Sequence, residues 1–282
     1  MRFSGKLRAA PISVKVSLLV IAAYVVVAVF AQYLAPYAQD QIIGDGLAPW
    51  SSVNWLGTDD LGRDVYSRLI YGAQNTLGIA FSATVIAFTL GGSLGIAAAI
   101  VGGWGDEILS RIVDVMMAIP GLIFSLMLMS ILGSSVTNII LIISVIYSTR
   151  VFRLARSVAM NIVVMEYVEF AKLRGEKIGW LMMREVLPNI VAPLLAEFGL
   201  RFCFVFLNIA ALSFLGVGIQ PPAADWGSMV RESASMISFA RDDFQAAAMP
   251  LMPALAIAAL SIAVNFVVDW VLHLSSGLKN DG

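Results

Sequence analysis

The chain holds 282 residues, 59% of them hydrophobic and 13% charged, with a formal net charge of −1. That balance, at a mean hydropathy of +0.86, lies outside the usual range of soluble globular domains and reads as an integral membrane protein, whose expected surroundings are the lipid bilayer and not nucleic acid. The single cysteine, Cys203, excludes an internal disulfide and reads as a small buried packing residue.

Six apolar stretches approach the about 20 residues that one helical crossing needs. They fall at roughly 16–35, 76–101, 112–132, 136–152, 190–218 and 246–273. The first follows a basic start (Arg2, Lys6, Arg8, Lys15); at about 19 apolar residues it is too long for a signal peptide and reads as an uncleaved anchor. Beyond it, Trp50 and Trp55 read as interfacial anchors. Gly57 and Gly62 suit turns, and Thr58 or Asp64 suits a helix cap before Val65. Asp59, Asp60 and Asp64 lack the alternate-position spacing of a calcium loop and read as structural. Val65, Leu69, Ile70 and Ala73 then form an apolar stripe expected along the outer membrane interface, with Tyr66 and Tyr71 at that depth.

The basic residues set the orientation. With the N-terminus inside, inner segments carry 13 of them and outer segments 4 (Arg63, Arg68, Arg231, Arg241), while Arg201 lies within a span. Both termini are therefore expected in the cytoplasm. The expected fold is an all-α membrane protein of about six transmembrane helices: a cytoplasmic N-terminus at 1–15 and a single transmembrane domain at 16–282. Within it lie a periplasmic segment at about 36–75, a cytoplasmic loop at about 153–189 and an external loop at about 219–245.

The cytoplasmic loop contains EYVEFAKLRGEKIGWLMMREVLPN (166–189), with 8 charged residues in 24. On a helical wheel Val164, Tyr167, Val168, Ala171 and Gly175 share one arc that can pack on the bundle. The opposite side mixes Glu166 and Glu169 with Phe170 and Leu173, apolar side chains that a merely hydrated helix has little reason to show. Gly175 stands where a helix stops, and a second short helix is expected to run to Leu187, where Pro188 breaks it and starts the next span. Two readings stay open at this point: a charged loop with an interfacial helix, or a two-faced surface for a partner.

In the fifth span Glu197 and Arg201 stand one turn apart; each would cost about 2.5 to 3.5 kcal/mol alone at mid-membrane, and together they can pair. They read either as a local ion pair or, for Arg201, as a candidate pathway group that passes an anionic moiety such as a peptide carboxylate. Asp114, Asp269 and His273 fall near inner span ends. After the span, Gly216, Gly218 and Pro221-Pro222 turn the chain before Trp226. Residues 223–245 then mix Asp225, Glu232, Asp242 and Asp243 with Arg231 and Arg241, a polar surface suited to docking or simply to water.

No phosphate-binding loop occurs, since Gly5-Lys6 lacks its preceding glycine, so the energy for transport must come from a partner or from an ion. With one histidine and one cysteine far apart, no nucleophile–base pair involving histidine is visible, and the chain is not expected to be an enzyme.

Glu169-Phe170-Ala171, Gly175, Ile178 and Leu187-Pro188-Asn189 resemble the E-A-A loop of ATP-binding-cassette (ABC) importer permeases. Phe170 replaces the first alanine, and Glu185 stands where an isoleucine is usual. WLGTDDLGRDVYSRLIYGA (55–73), DEILSRIVDVMMAIP (106–120) and ALSFLGVGIQPPAADWGSMV (211–230) resemble the second, C-type permease subunit of dipeptide, oligopeptide and nickel ABC importers, in order and over nearly the whole chain. The resemblance implies a type I ABC importer fold in a bacterial inner membrane. It implies a heterodimer with a homologous permease subunit, two ATP-binding subunits that hold ATP and Mg, and an extracytoplasmic substrate-binding protein. No cofactor is implied on this chain itself. It implies further that Glu169, Ala171 and Gly175 lie at the ATPase joint, with Phe170 and Leu173 as apolar anchors and Leu187 and Pro188 closing the motif. Peptides head the implied solutes, alongside nickel chelates, opines, glutathione-like molecules and sugars. An ion-coupled secondary transporter is the alternative.

Overall fold

The computed structural model describes residues 10–239, 241 and 243–276; Arg2, Gly5, Lys6, Arg8, Asp242 and Lys279 lie outside the described residues. Every extended element among them is helical: α1 Ile12–Val29, α2 Ala31–Leu34, α3 Val65–Val101, α4 Gly103–Ala118, α5 Gly121–Leu132, α6 Val136–Val163, α7 Glu166–Leu173, α8 Ile178–Trp180, α9 Leu187–Phe214, α10 Trp226–Ser233 and α11 Phe244–Ser276. A π-helical turn, Leu181–Val186, joins α8 to α9, and a 3-10 turn, Ala234–Phe239, follows α10.

Among the described residues five segments are long and apolar enough to cross a membrane, Ile12–Val29, Val65–Val101, Val136–Val163, Ile178–Phe214 and Phe244–Leu274, and a bent helix pair brings the number to six if it forms one span. The span expected at 112–132 is instead a pair, α4 and α5, that meets at 91°. Pro120 explains the break: it pushes Ile119 into extended backbone (φ −87°, ψ 129°) and offers no N–H to continue α4. The stretches expected at 76–101 and 136–152 belong to longer helices of 37 and 28 residues, which outrun the about 20 residues of a bilayer crossing. The bundle thus has two distinct ends. One, the knob end, carries residues 164–186; the other, the cap end, carries the loop 36–64 and α10.

The closest helix pair is α3 with α6. A Cβ at Gly91 would stand 2.2 Å from the Ser148 carbonyl oxygen, and one at Gly95 2.6 Å from that of Phe152. Two glycines four apart thus bring the backbones into contact, as a small-xxx-small stripe does where water gives no apolar driving force. The Ser144 hydroxyl donates across the same seam to the Ala83 carbonyl at 3.1 Å. Around this pair a core forms from Phe206 and Ile209 of α9, Leu260 of α11 and Trp226 of α10.

Trp226 locks the cap to the bundle. It is 2% exposed, lies edge-on to Tyr24 and Phe206, and donates its ring N–H to the Leu69 carbonyl at 2.9 Å. The stripe of Val65, Ile70 and Ala73 is buried in this core and does not line the membrane interface as its pattern suggested. Loop 36–64 and α10 border Val65, while α1 and Trp226 border Ile70 and Ala73, which a periodicity cannot reveal. Asp64 caps α3 by accepting from the Ser67 N–H at 2.8 Å, while the Thr58 hydroxyl pins the loop to Asp45 and Ala48.

Candidate functional site

The knob is built from α7 outward. Met165 leaves α6 in extended backbone, and Glu166 and Glu169 then fill the first turn of α7, where carboxylates suit the helix dipole. The helix stops at Gly175 as expected. With φ at +79°, the Gly175 N–H reaches the Lys172 carbonyl at 2.9 Å and the Glu176 N–H that of Ala171 at 3.2 Å, a Schellman pair.

Val168 and Ala171 are fully buried against Ile96 and Ile100 of α3, Ala155 and Ala159 of α6, and Leu181, Val186 and Ile190. The Asn189 amide ties the two arms of the knob by donating to the Tyr167 hydroxyl at 3.2 Å. On the other face Phe170 is 61% and Leu173 78% exposed, beside exposed Glu169. Val164 and Tyr167, expected on the packing face, are exposed. The reason is that α6 ends at Val163 and the chain bends before Glu166, so Val164 is on neither helix and no single wheel covers both.

The expected break at Pro188 does not occur. Leu187 is half-buried and Pro188 exposed near the start of α9, and the helical path from Ile178 to Phe214 is continuous. In an α-helix the proline ring would collide with the Arg184 carbonyl. The π turn, whose Leu187 N–H reaches back to Met182, is wider and removes that collision.

Glu197 and Arg201 pair through Glu197 Oε1 and Arg201 Nε, with side chains 18% and 14% exposed. The guanidinium also sits 5.5 Å from the Phe204 ring centre. Arg201 Nη1 is buried with no partner among the described residues, and so is Asn208 Oδ1. Asn208 Nδ2 donates to Tyr147 Oη at 3.1 Å, and the Tyr147 hydroxyl donates to the Phe204 carbonyl at 3.1 Å. Sequence reasoning missed Tyr147 and Asn208, because neither is unusual for its helix until α6 and α9 are brought together. Asp114, by contrast, pairs with Arg153, and Asp106 with Arg156; both pairs brace α4 on α6.

At the cap, Asp59 and Glu232 enclose Arg63 and Arg68, whose side chains are only 6% and 2% exposed. Arg63 Nε lies 2.7 Å from Asp59, Arg68 Nη2 2.9 Å from Glu232, and Arg68 Nε 3.3 Å from Asp59. Burial pushes the Glu232 carboxyl up, against the pull of Arg68 and Arg63. Asp225 is fully buried and caps α10 through the Gly227 and Ser228 N–H groups; burial raises its carboxyl too. Two acids expected on a polar docking surface therefore face inward. Arg231, Arg241 and Asp243 do stay exposed, and they share the outer surface with a cleft of about 490 Å³ lined by Trp50, Met236, Phe239, Met249 and Asp243, with exposed Ile237 and Phe244 nearby. No group of three metal-ligating side chains occurs among the described residues, and the aspartates at 59, 60 and 64 serve the loop.

Residues 91–276 match the family described as binding-protein-dependent transport system inner membrane component. The chain is 35% identical over 227 residues to the dipeptide transport system permease protein DppC of Alkalihalophilus pseudofirmus, covering 80% of this chain and 74% of the relative. It is 32% identical over 247 residues to the glutathione transport system permease protein GsiD of Pectobacterium atrosepticum, covering 87% and 80% respectively. The GsiD protein of Escherichia coli O6:K15:H31 matches to the same extent, 32% over 247 residues. The helical bundle and these matches set aside the ion-coupled alternative: the chain belongs to this family of inner-membrane components and is a permease subunit of an ABC importer.

Proposed function

We propose that this chain forms half of the pathway through which peptides or similar small solutes are imported, paired with a homologous permease subunit in a heterodimer. Two ATP-binding subunits, with their ATP and Mg, act from below, and an extracytoplasmic binding protein delivers the solute at the cap end. The knob end and both termini are cytoplasmic, in keeping with the basic residues that cluster there. The peptide class is supported by relatives named for dipeptide and glutathione transport. The chain itself hydrolyses nothing.

One observation carries the ATPase joint: α7 has two apolar faces, one buried in the bundle at Val168 and Ala171, the other exposed at Phe170 and Leu173. Exposed Glu169 and Lys172 make the second face too polar for lipid, while Phe170 and Leu173 make it too apolar for water. A groove in an ATP-binding subunit suits both. Closure of the ATPases would then move α7, and with it the bundle, between inward-open and outward-open states.

Gly175→Trp sets a bulky side chain at the corner of the knob, where nothing lies within 4 Å of a Cβ; because φ there is +79°, it also strains the helix stop, so it is read beside Glu169→Lys and Phe170→Asp, which leave that stop intact. Phe170→Asp is expected to lower solute uptake by the reconstituted complex at least about 10-fold, the loss of one buried apolar anchor, and Gly175→Trp and Glu169→Lys are expected to lower it too, by added bulk and by reversed charge. The amount of chain in the membrane should stay unchanged. Unimpaired uptake in all three would remove the joint from this face.

A further inference from the structure

We propose that Arg201 is a waypoint for a carboxylate of the passing solute, and that Glu197 is an internal placeholder which that carboxylate displaces. The proposal rests on the reading above of the chain as half of a solute pathway.

The arrangement is poorly explained as a fixed strut. A neutral ion pair deep in a helix bundle is readily replaced by apolar side chains of similar volume. Glu197 engages only the Nε side of the guanidinium, and Nη1 has no partner among the described residues although it is fully buried. A guanidinium carries five donors in a planar fork that matches a carboxylate in a bidentate pair. One edge of the Arg201 fork is therefore left unmatched by the described residues.

Its position supports a role in passage. Arg201 lies about 21 Å along α9 from Leu187 at 1.5 Å per residue, near the middle of this 28-residue helix. Phe204, one turn on and neighbouring Arg201, is 47% exposed, so this part of α9 is not covered by the chain's own bundle. Asn208 Oδ1, an acceptor without a partner, stands two turns toward the cap end, about 10 Å away. Mid-height on α9 thus combines an unmatched donor with an unmatched acceptor. A solute that bears a carboxylate at one end and N–H donors about three extended residues away complements both.

Displacement also gives a route out. While the solute carboxylate occupies Arg201, Glu197 remains beside it as a second anion, and their repulsion keeps the hold brief. Passage needs attraction weak enough to release, as in other conduits. No bond is made or broken in the exchange; one carboxylate replaces another on the same cation.

The test uses the complete complex in proteoliposomes, with the dipeptide Ala–Phe and its C-terminal amide as probes. Maximal rates at saturating probe remove the binding protein's affinity from the comparison. The wild type is expected to move the carboxylate form about 10-fold faster or more, the worth of a charge-assisted hydrogen bond. The double variant Glu197→Gln/Arg201→Gln, which removes both charges and leaves no buried ion unpaired, should bring the ratio to one; Arg201→Lys should keep part of it. Glu197→Gln should slow the carboxylate form alone, because release loses its repulsion. A wild-type ratio near one, or an unchanged ratio in the double variant, overturns the waypoint while leaving the importer reading intact. Wild-type uptake of neither probe overturns the peptide reading and the waypoint with it.

Discussion

Leucine at Gly95 is expected to remove the folded chain from the membrane. A Cβ there already meets the Phe152 carbonyl oxygen at 2.6 Å and the Ala155 Cβ at 3.0 Å, before the rest of the side chain is added. Neither neighbour is a flexible side-chain tip, so only separation of α3 from α6 relieves the clash. Overpacking of a core ordinarily costs about 1 to 3 kcal/mol. Here it also parts the Ser144 hydroxyl from the Ala83 carbonyl and opens the seam on which α9 and the cap are assembled. Gly78 lies on the same helix with nothing within 4 Å of its Cβ position, so Gly78→Leu should accumulate normally. Full-length chain in membranes and its monodispersity in detergent are the measurements. Equal levels for the two variants would mean that the helices tolerate separation at this seam.

The second large effect is at the cap. Arg68→Ala should destabilise the chain by about 3 kcal/mol, because it breaks the buried pair with Glu232 and leaves that carboxylate only Arg63, 3.4 Å away. By contrast Arg111→Ala, whose pair with Glu107 is 77% and 63% exposed, should change little. Thermal unfolding in detergent separates the two, and protease cleavage within 36–64 should rise only in Arg68→Ala. The pH dependence follows from Glu232. Its carboxyl is held above the ordinary range by burial, so the stability it contributes is full below that range and declines as pH rises through the raised value. Removing Arg68 removes a pull in the opposite direction. The gap in melting temperature between wild type and Arg68→Ala should therefore widen from acid toward neutral pH. A gap that stays constant would mean that Glu232 does not titrate against this site.

The sequence disclosed what depends on local chemistry. Gly175 could be read as a helix stop, Asp64 as a cap and Phe170 with Leu173 as an outward apolar face, because each rests on a residue type and its immediate neighbours. It disclosed less where distant segments meet. The stripe from Val65 to Ala73 has the same periodicity whether lipid or the chain's own α1, loop 36–64 and α10 surround it. Asp225 and Glu232 look like surface charges until α10 folds onto Arg63 and Arg68. Tyr147 and Asn208 acquire meaning only when α6 and α9 are side by side, 61 residues apart in the chain. The 91° bend at Pro120 was hidden differently: the apolar run continues through it, so hydropathy alone draws one straight span.

The π turn at 181–186 makes the knob's azimuth a matter of counting. An α-helical turn holds one residue fewer than a π turn, and each residue removed rotates everything upstream by about 100° and shortens the path by about 1.5 Å. Loss of a single amino acid between Trp180 and Leu187 would leave hydropathy, charge and the Leu187-Pro188 pair almost as they are. It would nevertheless swing Phe170 and Leu173 more than a quarter of a circle about the α9 axis. Substitutions in this segment therefore have latitude that insertions and deletions lack, and the length from Gly175 to Pro188 carries information that no individual side chain within it holds.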